Sequence, residues 1–134
     1  MRLRAIFFDF FGVLYLGGVP NEPLLDFIGH ELKPRYKLGI ITSTRDVGKY
    51  IDRDELQLFN VFIASSEVGF VKPDPEIFRF ACQQLHIEPS EAILVDDIPE
   101  NCSGAQMAGM QAILYTDFPS LQRQLAKLEK ADHA

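Results

Sequence analysis

The sequence is short of cysteine, of positive charge and of long apolar runs, and each shortage excludes a class of protein. Only two of its 134 residues are cysteine, which excludes a disulfide framework. The formal net charge of −6 argues against a nucleic-acid-binding surface, because phosphate backbones are bound by clustered lysine and arginine. No stretch approaches the ~20 apolar residues that span a bilayer, so no membrane contact is expected.

The amino-terminal stretch does not match a secretory signal. Its apolar run is interrupted by Asp9 and is followed by Gly17-Gly18 and Pro20, and no small-residue cleavage site follows. We therefore expect a cytoplasmic protein.

The rest of the composition is that of an ordinary globular domain. Apolar residues make up 47% of the chain and charged residues 24%. The chain is long enough to bury a core, and no linker, repeat or low-complexity segment divides it. A single domain over residues 1–134 is expected.

Apolar strand candidates alternate with helical segments along the chain. Five strands are predicted at Ala5–Asp9, Lys37–Thr42, Val61–Ala64, Ala92–Val95 and Gln111–Tyr115, with a hairpin at Tyr15–Val19. Helical segments are predicted at Glu22–Leu32 with Asn21 as N-cap, within Thr44–Leu58, from Asp74 to Leu85, at Glu100–Ala108 and at Ser120–Lys130. The alternation predicts an α/β fold with a doubly wound, mainly parallel five-stranded sheet of the Rossmann type.

The first predicted strand leads into a single carboxylate, Asp9, with Gly12 three residues later. The strand does not alternate polar and apolar residues, which is typical of a strand buried on both faces. Ligands bind at the carboxyl ends of such strands in open parallel sheets. Taken alone, Asp9 is better explained as a residue that caps a turn.

Polar residues follow three more predicted elements: Thr42-Ser43, Lys72 and Asp96-Asp97. Each has a purely structural explanation. Thr42-Ser43 can simply end a strand, Lys72 can be solvated, and Asp96-Asp97 can cap a helix. Their joint occurrence with Asp9 is poorly explained in this way.

The order and spacing of these features resemble the haloacid dehalogenase superfamily. The motifs are Asp9–Leu14, Leu38–Ser43, Val68–Phe78 and Ile93–Asn101, and the resemblance covers about residues 3–115. The stretch from Asp96 to Asn101 is most similar to the branch containing the amino-terminal domain of soluble epoxide hydrolases. The resemblance therefore implies a Rossmann-type hydrolase core.

The resemblance also implies roles for individual side chains. Asp9 is expected to be the nucleophile that forms a covalent aspartyl intermediate. Thr42 and Ser43 are expected to bind phosphate oxygens of a phosphorylated substrate. Lys72 is expected to place a cation between Asp9 and the phosphoryl group. Asn101 is expected to position the loop after the acidic pair.

A magnesium site is implied by the same resemblance. Its ligands are expected to be the carboxylates of Asp9, Asp96 and Asp97 and the backbone carbonyl of Phe11. Oxygen-only ligands suit magnesium.

Phe11 departs from the family pattern, because the phosphatases of the family usually carry a second aspartate there. That aspartate protonates the leaving group and later activates water. Its loss typically costs ~10²–10⁴-fold in rate. Three interpretations stay open: substrates with good leaving groups such as acyl or aryl phosphates, replacement of the acid by water or another side chain, or binding without turnover.

Dehalogenases of the family also lack the second aspartate, since a halide leaves without a proton. Displacement of a halide needs no magnesium, so the pair Asp96-Asp97 would have little purpose there. This favours phosphoryl chemistry. A phosphorelay receiver is disfavoured because it carries its acidic pair after the first strand.

Family members with a cap domain insert it in one of two intervals, and both are short here. A total of 33 positions separate Asp9 from Thr42, and 30 separate Thr42 from Lys72. The resemblance thus implies a member without a cap domain. Since a cap excludes water, the site is expected to be open to a large substrate, such as a protein or nucleic-acid end, or covered by a second copy in a homo-oligomer. The hairpin Tyr15–Val19 either contacts such a partner or packs on its own core.

These observations predict a magnesium-dependent phosphatase acting on a phosphate ester or anhydride, the substrate being a small molecule or a macromolecule. The alternative is a catalytically weak or inactive relative that binds a phosphorylated ligand or a protein partner. Phe11 is the residue that motivates the alternative.

Overall fold

The computed structural model describes residues 2–44 and 46–132, and a five-stranded parallel sheet lies at its centre. The strands are β1 (Ala5–Phe8), β4 (Lys37–Thr42), β5 (Val61–Ala64), β6 (Ala92–Asp96) and β7 (Gln111–Leu114), in the spatial order β5-β4-β1-β6-β7. A separate antiparallel hairpin joins β2 (Tyr15–Leu16) to β3 (Val19–Pro20). All four ladders of the large sheet are parallel, which confirms the predicted α/β fold.

Helices connect the strands. They are α1 (Glu22–Phe27), α2 (Arg53–Leu56), α3 (Ser65–Val68), α4 (Pro75–Gln84), α5 (Pro99–Ala108) and α6 (Phe118–Asp132). A π-helical turn at Ile28–Leu32 continues α1, and short 3₁₀ turns lie at Val47–Lys49 and Pro89–Glu91. The sequence did not predict α3 or the second 3₁₀ turn, since three or four residues are too few to show a helical period.

The sheet is covered on both faces, and this explains the uninterrupted apolar run of β1. Ile6 and Phe8 belong to one cluster, with Leu24 of α1 and Leu121 of α6. Alternate residues of β1 point the other way. Ala5 and Phe7 pack with residues of α4 and α5. The helices therefore lie on both sides of the sheet, as in a doubly wound fold.

Asn21 does not cap α1 through its side chain, which corrects the sequence-based prediction. It occupies the N-cap position, and its backbone carbonyl accepts from Leu25 N at 2.9 Å. Its side-chain amide donates instead to Val13 O at 2.8 Å and to the Tyr115 hydroxyl at 3.0 Å. The amide therefore ties the loop after β1 to the end of β7. By contrast, the side chain of Asp74 caps α4 as predicted, accepting from Glu76 N at 3.0 Å.

The intervals between the predicted site residues contain only small elements. The hairpin, α1 and the π-helical turn lie between β1 and β4. Between β4 and Lys72, the described residues form β5 and short helical segments. Among the described residues, no helix combines the length and the apolar character needed to cross a membrane.

Candidate functional site

The carboxyl ends of three neighbouring strands bring the predicted site together. Asp9 directly follows β1, Thr42 is the last residue of β4, and Asp96 is the last residue of β6. The chain builds the sheet outward from β1 through β4 to β5, and then returns to add β6 on the other side of β1. The strand order reverses at this point, and open α/β sheets bind ligands in the crevice formed there.

Lys72 lies in the loop before α4, and its ammonium occupies the centre of the site. Nζ donates to Asp9 Oδ1 at 2.8 Å, to Asp96 Oδ2 at 2.9 Å and to the backbone carbonyl of Ile41 at 3.1 Å. Only 10% of the Lys72 side chain is exposed. The alternative of a solvated surface lysine is therefore wrong, and all three ammonium protons are engaged.

The carboxylates outnumber this cation. One oxygen from each of Asp9, Asp96 and Asp97 lies within 4.8 Å of the others. Asp96 is fully buried, and Asp9 is nearly so. Within the described ranges, three hard oxygen donors face the Lys72 ammonium and leave an excess of negative charge, and a divalent cation such as magnesium fits this donor set. The carbonyl of Phe11 as a further ligand stays a prediction.

Crowding changes the acidity of Asp9. Burial raises the pKa of its carboxyl from 3.8 to about 6, against the lowering effect of the Lys72 ammonium. The charge of Asp96 and a hydrogen bond with Asp97 contribute to the same rise. The carboxylate at Asp9 is thus held in an environment that disfavours its charge, and bringing a cation close relieves this.

Asp96 is oriented by the start of α5. Its Oδ1 accepts from Ile98 N at 3.0 Å, and its Oδ2 accepts from the Asn101 side-chain amide at 3.2 Å. Asn101 therefore positions the Asp96 side chain directly. The sequence-based prediction was that Asn101 positions the loop after the acidic pair. The i,i+5 separation of these residues could have suggested the contact once the start of α5 was placed.

Gly12 lets the loop after β1 approach Asp97. Its φ is +93°, and a Cβ built there would lie 2.2 Å from Asp97 Oδ2. A side chain would therefore collide with the acidic pair as well as strain the backbone. The close approach of Asp97 therefore explains why a glycine lies three residues after Asp9.

A cavity of about 380 Å³ opens beside these groups, and its lining comprises Asp9, Phe11, Thr42, Ser43, Ser65, Val71, Lys72, Ile98 and Asn101. Thr42 is buried, and its hydroxyl oxygen accepts from Thr44 N at 3.2 Å. That contact leaves the hydroxyl proton available to a ligand oxygen. Thr42 and Ser43 therefore lie where a group bound next to Asp9 could meet them.

Three lining residues were not predicted from the sequence. Ser65 directly follows β5, and the rule that pointed to Asp9 could have found it. Val71 and Ile98 are apolar, and 62% and 43% of their surfaces are exposed. Only their adjacency to Lys72 and Asp97 in the sequence could have indicated them.

The Phe11 side chain joins an aromatic group at the edge of the cavity. Its ring centroid lies 5.0 Å from that of Tyr50 and 5.8 Å from that of Tyr15, both edge to face. Tyr15 thus packs on the protein's own aromatic residues, which was one of the two alternatives for the hairpin. Its neighbours Leu16 and Val19 are exposed.

Gly104 of α5 determines how closely that helix approaches the loop that carries Lys72. A Cβ at Gly104 would lie 2.0 Å from the carbonyl oxygen of Pro73. In a helix interior, alanine is otherwise more favourable than glycine by ~1 kcal/mol. We expect Gly104→Ala instead to lower the free energy of unfolding by ~1–3 kcal/mol, because the overpacked contact forces the loop away. Urea denaturation measures this.

Gly48→Ala is the matched control for this prediction. Its Cβ would meet nothing closer than Leu56 Cδ1 at 3.6 Å, an ordinary contact. Equal stabilities for Gly104→Ala and Gly48→Ala would contradict the predicted clash.

Comparisons with known proteins indicate one family for this chain. A family model described as "haloacid dehalogenase-like hydrolase" matches residues 26–115. Bifunctional epoxide hydrolase 2 of Rattus norvegicus is 30% identical over 115 residues, which are 81% of this chain and 21% of that protein. Validoxylamine A 7'-phosphate phosphatase of Streptomyces hygroscopicus subsp. limoneus is 39% identical over 85 residues, 60% of this chain and 40% of that protein. The chain thus spans less than half the length of either relative.

Solved structures share the fold. An uncharacterized protein from Corynebacterium glutamicum superposes with a TM-score of 0.82 at 20% identity, covering 96% of both chains. A haloacid dehalogenase family enzyme from Bacteroides thetaiotaomicron, in complex with magnesium and inorganic phosphate, superposes with a TM-score of 0.66 at 26% identity. It covers 76% of this chain and 57% of that chain.

Proposed function

The chain belongs to the haloacid dehalogenase-like hydrolase family, and from that premise we propose that it is a magnesium-dependent phosphatase. Its substrate is a phosphate ester or anhydride, and Asp9 carries the phosphoryl group as a covalent intermediate. The observation that carries the proposal is the contact of Lys72 Nζ with Asp9 and Asp96 beside a third carboxylate. The phosphatase among the relatives supports the same chemistry.

The reaction follows from the positions of these side chains. A carboxylate oxygen of Asp9 attacks phosphorus, and the bond from phosphorus to the leaving group breaks. Lys72 holds Asp9 in place through Oδ1 and keeps positive charge beside the incoming phosphoryl group. The Thr42 hydroxyl donates to a phosphoryl oxygen, with Ser43 beside it. Water then attacks the phosphorus of the intermediate, which releases phosphate and regenerates Asp9.

Magnesium is the cofactor in this proposal. The carboxylates of Asp9, Asp96 and Asp97 and the carbonyl of Phe11 would hold it. When bound, it supplies positive charge that offsets the three carboxylates and the phosphate dianion. The magnesium complex of the Bacteroides thetaiotaomicron enzyme supports this assignment.

Release of phosphate from p-nitrophenyl phosphate tests the function. We expect turnover in magnesium that falls to background when the metal is removed with EDTA and returns when magnesium is added back. Retention of full activity in EDTA would contradict the magnesium requirement.

The exposed Phe11 side chain favours one other function. It offers no proton to a leaving group, and a protein with this residue can bind a phosphorylated ligand or a protein partner without turnover. In that case inorganic phosphate binds in a magnesium-dependent way, measured by calorimetry, while no phosphate monoester or acyl phosphate is hydrolysed. That a second copy of the chain covers the open cavity stays a prediction.

A further inference from the structure

Over residues 2–44 and 46–132, the cavity beside Asp9 has no lining side chain that could protonate a leaving group. Among the lining residues that the structure describes, the only carboxyl is Asp9 itself, and no histidine or tyrosine is present. Asp97, whose carboxylate lies within 4.8 Å of that of Asp9, is one of the proposed metal ligands. The hydroxyls of Ser43 and Ser65 are too weakly acidic for this role. Lys72 uses its three ammonium protons on Asp9, Asp96 and Ile41. A group that departs from phosphorus here therefore departs without a proton from the protein.

The mouth of the cavity, meaning its exposed lining, is mostly apolar. Phe11, Val71 and Ile98 are 41%, 62% and 43% exposed, and Ser43 is an exposed polar residue beside them. Of the lining residues in the described part of the chain, Lys72 is the only lysine or arginine, and it is already paired with two carboxylates. The part of the substrate beyond the phosphoryl group meets hydrocarbon, and burying apolar surface there is favourable.

We infer that the substrates are phosphorylated compounds whose leaving group departs as a weakly basic oxygen anion and carries an apolar body. Aryl phosphates and apolar acyl phosphates share this chemistry. The inference rests on the proposed function and names the substrate class of the same site. Phe11 thereby acts as a specificity-determining residue, because it replaces proton donation with an apolar contact.

Each step balances without an acid from the protein. In the first step an oxygen of Asp9 bonds to phosphorus, and the electron pair of the breaking P–O bond leaves on the phenolate or carboxylate. In the second step water attacks phosphorus, the bond to Asp9 breaks, and the water proton passes to solvent. No base among the described lining residues assists this second step, so phosphate release is slow once the first step is fast.

A series of aryl phosphates tests the inference through kcat/KM, which reports the first step. The phenols of the series range downward from the pKa of about 10 that an unsubstituted phenol shares with tyrosine. We expect kcat/KM to fall steeply as the pKa of the phenol rises. Phe11→Asp restores a proton donor, so its dependence on that pKa is expected to be flatter, with phenyl phosphate accelerated by ~10²-fold or more. Phe11→Asn, polar but without an acid, is expected to keep the steep dependence.

Two further measurements complete the experiment, one with acyl phosphates and one with a variant of Tyr50. Benzoyl phosphate is expected to have a kcat/KM about tenfold above that of acetyl phosphate, because only the benzoyl group covers the apolar mouth. A kcat/KM equal for the two would overturn the apolar part of the inference. Tyr50→Phe removes the hydroxyl of the ring packed on Phe11 and is expected to leave the pKa dependence unchanged.

The failures of the inference and of the proposed function are distinguishable. Turnover that needs Asp9 but is insensitive to the pKa of the phenol would overturn the inference and leave the phosphatase in place. If kcat/KM of Tyr50→Phe depended more steeply on the pKa of the phenol than that of the wild type, Tyr50 would be the donor of the proton to the leaving group. That outcome would also overturn the inference and leave the phosphatase in place. No turnover of any aryl or acyl phosphate above the Asp9→Asn background overturns both.

Discussion

Asp9→Asn is expected to abolish phosphate release while the protein stays folded. The amide of asparagine has nearly the shape of the carboxylate, and its oxygen can still accept a hydrogen bond from Lys72 Nζ. It is a very poor nucleophile, so the covalent step is lost. Removal of a nucleophile costs about a thousandfold or more in kcat. Steady-state release of p-nitrophenol in magnesium measures the loss.

Stability gives a second readout for the same variant. Asp9 is one of three carboxylates crowded around one ammonium, and burial disfavours its charge. At neutral pH the free energy of unfolding of Asp9→Asn without metal is therefore expected to equal or exceed that of the wild type. Active sites commonly hold such groups at a cost in stability. Urea denaturation in EDTA makes the comparison.

Asp26→Asn is the matched control, because Asp26 is an exposed carboxylate on α1. We expect it to retain the wild-type rate and stability. If Asp9→Asn turned over at the wild-type rate, another group would attack phosphorus, and the assignment of Asp9 as the nucleophile would be contradicted. A large loss of stability would mean that Asp9 is chiefly structural.

The parts of the site that follow strands could be predicted from the sequence. Asp9, Thr42 and Asp96 lie at strand ends, and the buried strands were recognisable from their apolar runs. Parallel pairing then places their carboxyl ends at one edge. The predicted strand Lys37–Thr42 matches β4 residue for residue, because a charged residue and a polar residue delimit it.

Other parts of the site depend on packing that a local pattern does not encode. Lys72 lies in a loop, and only the resemblance to a family indicated that its ammonium reaches Asp9. The identity of Phe11 was readable from the sequence, but its contact with Tyr50 joins residues that are far apart in the chain. The contact between α5 and Pro73 at Gly104 likewise arises from helix placement.

Lys72→Met is expected to affect activity and stability together, and magnesium is expected to restore only one of them. Methionine retains much of the length of the side chain but has no charge and no donor. The phosphoryl group then loses a preorganised cation, and removing such a group costs ~10²–10³-fold in kcat/KM. In EDTA, Asp9 and Asp96 lose the ammonium that lies 2.8 Å and 2.9 Å from them. Breaking a buried ion pair in this way costs ~3–5 kcal/mol.

Magnesium separates the two effects of Lys72→Met. A divalent cation among the carboxylates replaces the missing charge, so magnesium is expected to stabilise Lys72→Met more than the wild type in thermal unfolding. It cannot replace the donor that holds Asp9 in place, so kcat/KM stays low. Lys127→Met, which alters an exposed lysine on α6, is expected to change neither quantity. If magnesium stabilised Lys72→Met and the wild type equally, the ammonium and the metal would not share the same carboxylates, and the proposed magnesium ligands would be wrong.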